Sequence, residues 1–145
     1  MIRILAALAL TAAPALAETV TKHSPHPVAE TADRLAAAIE AAGATLVARV
    51  PHSEAAAGVG MELPEAVLLI FGNPEVGTPV MQQDLRAGLV LPLRVLVHAH
   101  GDASGVTYQT AETLFAGLDV DPASEAAGRI DGALGMLTDK AIASD

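Results

Sequence analysis

Ala66-Val67-Leu68-Leu69-Ile70-Phe71-Gly72-Asn73-Pro74 decides the fold of this chain. Six apolar residues in a row have the length of a strand, and Gly72-Asn73-Pro74 stops it. Side chains alternate between the two faces of a strand, so a run without polar interruption places apolar groups on both. The run therefore predicts a strand deep in a sheet with something covering each face, a second subunit being one candidate cover.

Upstream of it, Val28, Ala32, Leu35, Ile39 and Ala42 recur at helical spacing, with Glu30, Asp33, Arg34 and Glu40 opposite. Pro27 suits a first helical position and Gly43 the residue past the end, which predicts a helix over about 27–42. The Thr21–Pro27 stretch before it, with two prolines and two histidines, reads as an entry loop. Thr45–Val50 reads as a strand, and Ser53–Ala57 as a short helical piece ended by Gly58 and Gly60. Downstream, Thr78 and Pro79 predict the cap and first position of a short helix to about Leu85. Leu91–His100 reads as a second long strand, Gly101–Gly105 as a hairpin loop and Val106–Gln109 as the returning strand. A helix over Ala111–Gly117 follows, then a last one over about 121–140, capped at Asp121-Pro122, with Ala126, Ile130, Ala133, Leu134 and Leu137 facing the core. Helices interrupting hairpin strands make an α+β fold: a two-layer sandwich, mainly antiparallel, with helices packed on one face.

The whole chain has 145 residues, no cysteine and a formal net charge of −9, enough for one domain. Arg3, the apolar Ile4–Leu10 and the small residues of Ala15-Leu16-Ala17 have the order of a signal peptide cut after Ala17. This predicts export to the periplasm or beyond, a single domain over 18–145, and no membrane span after cleavage. The acidic balance excludes nucleic acid as a partner, since phosphate binding needs clustered Lys and Arg. Phe71, Tyr108 and Phe115 are the only aromatics, too few for a stacking platform.

Leu69–Met81, a strand, a glycine-bearing turn and a helix start, is the leading site candidate, with Phe71, Gly72, Asn73, Pro74, Gly77, Thr78 and Met81 in it. Glycines let a ligand approach the backbone, and free N–H groups at a helix start can receive an anion. There is no P-loop lysine, so a nucleoside triphosphate is not expected. His52, just after a strand, is a candidate base or ligand. His98 and His100 fall on one strand face about 7 Å apart, spacing for a shared copper or zinc ion that lacks a third ligand. Arg94 faces away from the Leu-Val core row and is a candidate for an anionic ligand. No motif implies a cofactor.

From Ser24 to about Thr110 the chain resembles a bacterial family of unknown function, DUF302. The resemblance lies in Thr31-x-x-Arg34-Leu35, Gly43, His52-x7-Gly60-x2-Leu63, Phe71-Gly72-Asn73-Pro74-x-x-Gly77-Thr78-x-x-Met81, Leu91-Pro92-Leu93-Arg94-x-Leu96-Val97 and Tyr108. The chain departs from the family pattern at Val90, His98 and Gln109. The resemblance implies helices on an antiparallel sheet and a homodimer, marks Tyr108 as a further site candidate, and implies no activity. The sequence thus leads to an exported, non-enzymatic homodimer binding a small ligand or partner near Phe71–Met81. The alternatives are a small-molecule enzyme using His52 and the Gly72–Thr78 loop, and a periplasmic metal binder through His98 and His100.

Overall fold

The computed structural model describes residues 18–144. The signal peptide expected over 1–17 lies outside them. Five strands form one antiparallel sheet in the order β1-β5-β4-β3-β2: β1 Thr19–Ser24, β2 Thr45–Pro51, β3 Ala66–Gly72, β4 Leu93–His100 and β5 Ala103–Gln109. Two long helices, α1 (Val28–Ala41) and α5 (Glu125–Ile142), lie side by side on one face. Three shorter ones, α2 (His52–Gly58), α3 (Pro74–Met81) and α4 (Ala111–Leu114), and a 3-10 turn at Leu85–Leu89 complete the chain. The fold is the α+β sandwich expected from the sequence, with its sheet wholly antiparallel.

The core lies between sheet and helices. Leu35 and Ile39 of α1 and Ile130, Leu134 and Leu137 of α5 meet Leu69, Phe71, Val95, Val97 and Val106 of the sheet. The α5 stripe holds the expected Ile130, Leu134 and Leu137 and adds Ala127, Thr138 and Ala141, while Ala126 and Ala133 are half-buried. Its cap is Ser124, whose hydroxyl accepts from the Ala127 N–H; Asp121 lies one turn earlier and accepts from Ala123 N.

Three local expectations need correction. Thr19–Ser24 is an edge strand paired along its length with β5, so much of the stretch read as an entry loop is sheet. The hairpin loop is a tight turn at Gly101-Asp102; Gly101 takes φ +61°, and β5 already begins at Ala103. The helix expected from Thr78 starts five residues earlier, because Asn73 caps it and Pro74 takes a first-turn position where a missing N–H costs nothing. Pro79 then lies inside α3 and cannot bond the carbonyl four residues back; that carbonyl, Glu75 O, instead lies 3.5 Å from the Arg129 guanidinium of α5.

The β3 run is buried on one side only. Val67, Leu69 and Phe71 point into the core, while Ala66, Leu68 and Ile70 are half-buried on the face without helices. An unbroken apolar strand here marks an inner position in the sheet, between β4 and β2.

Asp84 secures the connection after α3. Its carboxylate accepts from Arg86 Nη2 at 2.6 Å, from the Arg86 backbone N–H, and from Asp119 N at 2.9 Å, while Gln83 Oε1 accepts from Asp121 N. The Arg86 hydrogen bonds first, then the two backbone N–H groups, hold the Asp84 carboxyl well below the usual carboxylate range. A depressed folded-state pKa stabilises the fold above the unfolded value of about 3.9 and loses that effect as pH falls below it. The urea midpoint of the wild type should therefore exceed that of Asp84→Asn above about pH 5, and the gap should close in stronger acid. A gap that stays constant with pH would exclude the carboxylate as its source.

Candidate functional site

The end of β3 and the start of α3 divide two clefts. The inner one, about 140 Å³, lies between Phe71 and Gly72 of β3 and Ile130, Ala133 and Leu137 of α5. The outer one, about 420 Å³, is bounded by Thr45 and Val47 of β2, Thr78 and Met81 of α3, and Gly88. Gly72, Asn73, Leu91 and Pro92 border both. The sequence builds this wall from two breaks. Gly72-Asn73-Pro74 turns the chain out of the sheet, and Leu91-Pro92, joined by a cis peptide, brings it back into β4. The two lie side by side: a Cβ on Gly72 would sit 3.4 Å from the Pro92 Cβ, in ordinary van der Waals contact.

No charged residue lines either cleft. Apolar walls carry a few polar groups: Asn73 in both clefts, Thr45 and Thr78 in the outer one. The α3 start is not available to an anion. Asn73 Oδ1 accepts from Glu75 N at 2.9 Å, the N–H groups of Val76 and Gly77 bond Asn73 O, and Pro74 has none to offer. What this arrangement can do is bind an uncharged, largely apolar molecule with one or two hydrogen-bonding groups.

The structure brings together seven of the residues singled out in the sequence. Phe71, Gly72, Asn73 and Gly77 border the inner cleft; Pro74, Thr78 and Met81 border the outer one, with Gly72 and Asn73 common to both. The other candidates lie elsewhere. His52 opens α2 in an exposed position, and its ring has no hydrogen-bond partner among the described residues. Tyr108 is buried beneath Lys22, whose Nζ lies 5.7 Å from the ring centroid. Arg94 is exposed on the open face of the sheet, with Nη2 3.5 Å from Val90 O.

His98 and His100 also lie on the open face, each with a different neighbour. The His98 ring bonds Thr107 Oγ1 through Nε2 at 3.0 Å and approaches Ala99 O through Nδ1. His100 instead meets His23 edge-on, with ring centroids 5.4 Å apart. Among the described residues, no group of three or more His, Cys, Asp or Glu is placed to hold a metal ion.

Sequence reasoning did not single out Val47, Leu91, Pro92 and Ala133 as site residues. Leu91-Pro92 stood in the resemblance without a role; Ala133 was assigned to the core. Val47 could not be found from pattern alone, because it sits at a β-bulge between Leu46 and Ala48.

Known proteins bear on this geometry in three ways. A crystal structure of an uncharacterized conserved DUF302 protein from Bacillus stearothermophilus superposes with a TM-score of 0.77 at 22% identity, covering 85% of this chain and 97% of that one. That likeness is one of fold. The chain is 44% identical over 91 residues to fluoride-specific ion channel FluC 1 of Brucella suis and equally to FluC 1 of Brucella abortus, 63% of this chain in each case. It spans only 35% and 33% of these curated relatives. No described helix of this chain is long and apolar enough to cross a membrane. The family model for the domain of unknown function DUF302 matches residues 20–137, nearly all of the described residues, and the chain belongs to that family.

Proposed function

We propose that this chain is an exported homodimeric binding module that holds a small, uncharged, mainly apolar molecule at the clefts beside Gly72-Asn73. The observation that carries this is the wall itself, where apolar side chains and a few neutral polar groups converge without a single charge. The inner cleft is close in volume to the roughly 150 Å³ apolar cavity known to accept benzene, and the outer one falls in the ordinary range for small ligands. An enzyme built on His52 has less support, because His52 borders neither cleft.

Ala133 gives the test. It faces the inner cleft from α5 and is half-buried, and leucine is a good helix former, so Ala133→Leu fills the space at little cost to the fold. Native mass spectrometry of protein from cells expressing the full chain should find a bound small mass on the wild type and none on Ala133→Leu. An empty wild type would overturn the proposal, and the same mass on both would exclude the inner cleft as the seat of the ligand.

The Brucella relatives favour a second reading, in which a domain of this kind serves a fluoride channel. Unchanged fluoride tolerance in cells lacking this chain would end it.

A further inference from the structure

We propose that the open face of the sheet is the surface on which two copies of this chain meet; this rests on the homodimer reading above and names its interface. The strand register lays an apolar band across that face. Val50 pairs with Leu68, Leu68 with Leu96, and Leu96 with Thr107, while Ala48 pairs with Ile70 in the next row. None of Val50, Leu68, Ile70 or Leu96 belongs to the core cluster or packs against it. Exposed Val47 extends the band at the β2 bulge.

Some polar residues on this face are tied down there, while exposed Arg94 stands beside the apolar rows. Thr107 Oγ1 bonds both Thr21 Oγ1 at 2.8 Å and His98 Nε2. The His98 ring lies against Gly105, where an added Cβ would come within 2.7 Å of it, so the ring rests low on the sheet. Such a face is suited to packing against a second sheet.

Charge and area point to a second copy as the occupant. The chain carries a net charge of −9, yet no strand residue facing this side is Asp or Glu. It is therefore a face on which two such molecules can approach without opposing carboxylates. Five strands at about 4.8 Å spacing and seven residues at about 3.3 Å rise give roughly 550 Å² per copy, on the order of 1,100 Å² in all, at the lower end of specific interfaces. Joining along the β2 edge is disfavoured, because that edge is bulged and ends in Pro51.

Leu96, midway along the central strand, is the position to test. Light scattering on the full-chain product should give twice the chain mass for the wild type and a single chain mass for Leu96→Lys with unchanged circular dichroism. A second variant guards against misfolding. The chain has no cysteine, so Leu96→Cys carries one thiol, which under mild oxidation should link two chains, whereas Leu85→Cys, on the exposed 3-10 turn, should not. A monomeric wild type would overturn the homodimer reading and this interface with it. A folded Leu96→Lys that remains dimeric, or efficient linking through Leu85→Cys and none through Leu96→Cys, would overturn the interface alone.

Discussion

Phe71→Ala should lower stability by about 3–5 kcal/mol, the usual cost of emptying a buried aromatic site. Against a total of about 5–15 kcal/mol for a domain of this kind, such a loss leaves the fold marginal. Part of the wall cannot move in to fill the site. Phe71 is 1% exposed, and its cleft is bordered by Ala133 of α5 and, just past the end of α1, by Ala42 and Ala44. Alanine has no rotamers with which to move into a void, and the chain has only two other aromatics to redistribute. The same substitution joins its void to the inner cleft. A urea titration should show the midpoint falling by roughly 2 M at typical slopes, with the slope itself preserved. A loss under about 1 kcal/mol would mean that α5 closes over the gap, and that the wall of the cleft is soft.

Phe71 also shows how much of the molecule was legible in the sequence. An apolar run ended by Gly72-Asn73-Pro74 is a local pattern, and it gave both an inner strand and the turn on which the clefts are built. The two long helices were equally open to reading, since their stripes repeat over several turns. What stayed hidden depends on partners remote in the chain. β1 is a strand because Thr19–Ser24 finds β5 eighty or more residues away; alone, the prolines and histidines at its end look like a loop. The start of α3 was misplaced because two Asn/Thr-Pro pairs compete as start signals, and Asn73 wins by capping Glu75. The open face is a different case. Pattern shows that Leu68 and Ile70 are apolar, but not whether a helix, neighbouring strands or a second chain shields them.

Thr31 carries the resemblance to the family in the Thr31-x-x-Arg34-Leu35 motif, and its role emerges only in three dimensions. Ser24 of β1, Thr31 of α1 and Ser104 of β5 are each 0% exposed, and their hydroxyls touch in sequence: Ser24 Oγ to Thr31 Oγ1 at 2.7 Å, Thr31 Oγ1 to Ser104 Oγ at 2.8 Å. The chain of bonds begins and ends on one residue. The His26 N–H donates to Ser24 Oγ, and Ser104 Oγ donates to the His26 carbonyl. One set of proton positions satisfies the whole circuit, with Ser24 donating to Thr31 and Thr31 to Ser104. It ties the first turn of α1 to the β1 and β5 strands. The His26 ring extends it, one nitrogen 3.0 Å from the Glu30 carboxylate and the other 2.9 Å from the carbonyl of Ala143 at the end of α5. Thr31→Val keeps the shape and removes the middle link, leaving the Ser24 hydroxyl buried with no acceptor in the circuit. The expected cost is about 1–3 kcal/mol, the penalty for a buried polar group deprived of its partner. Ser24→Ala added to Thr31→Val removes that orphan, so the double variant should lose less than the two single losses combined, by at least 0.5 kcal/mol. Denaturant titrations of the four proteins measure the difference directly. Strict additivity would mean that the three hydroxyls act as separate contacts, and a Thr31→Val protein as stable as the wild type would mean that shape alone holds α1 to the sheet.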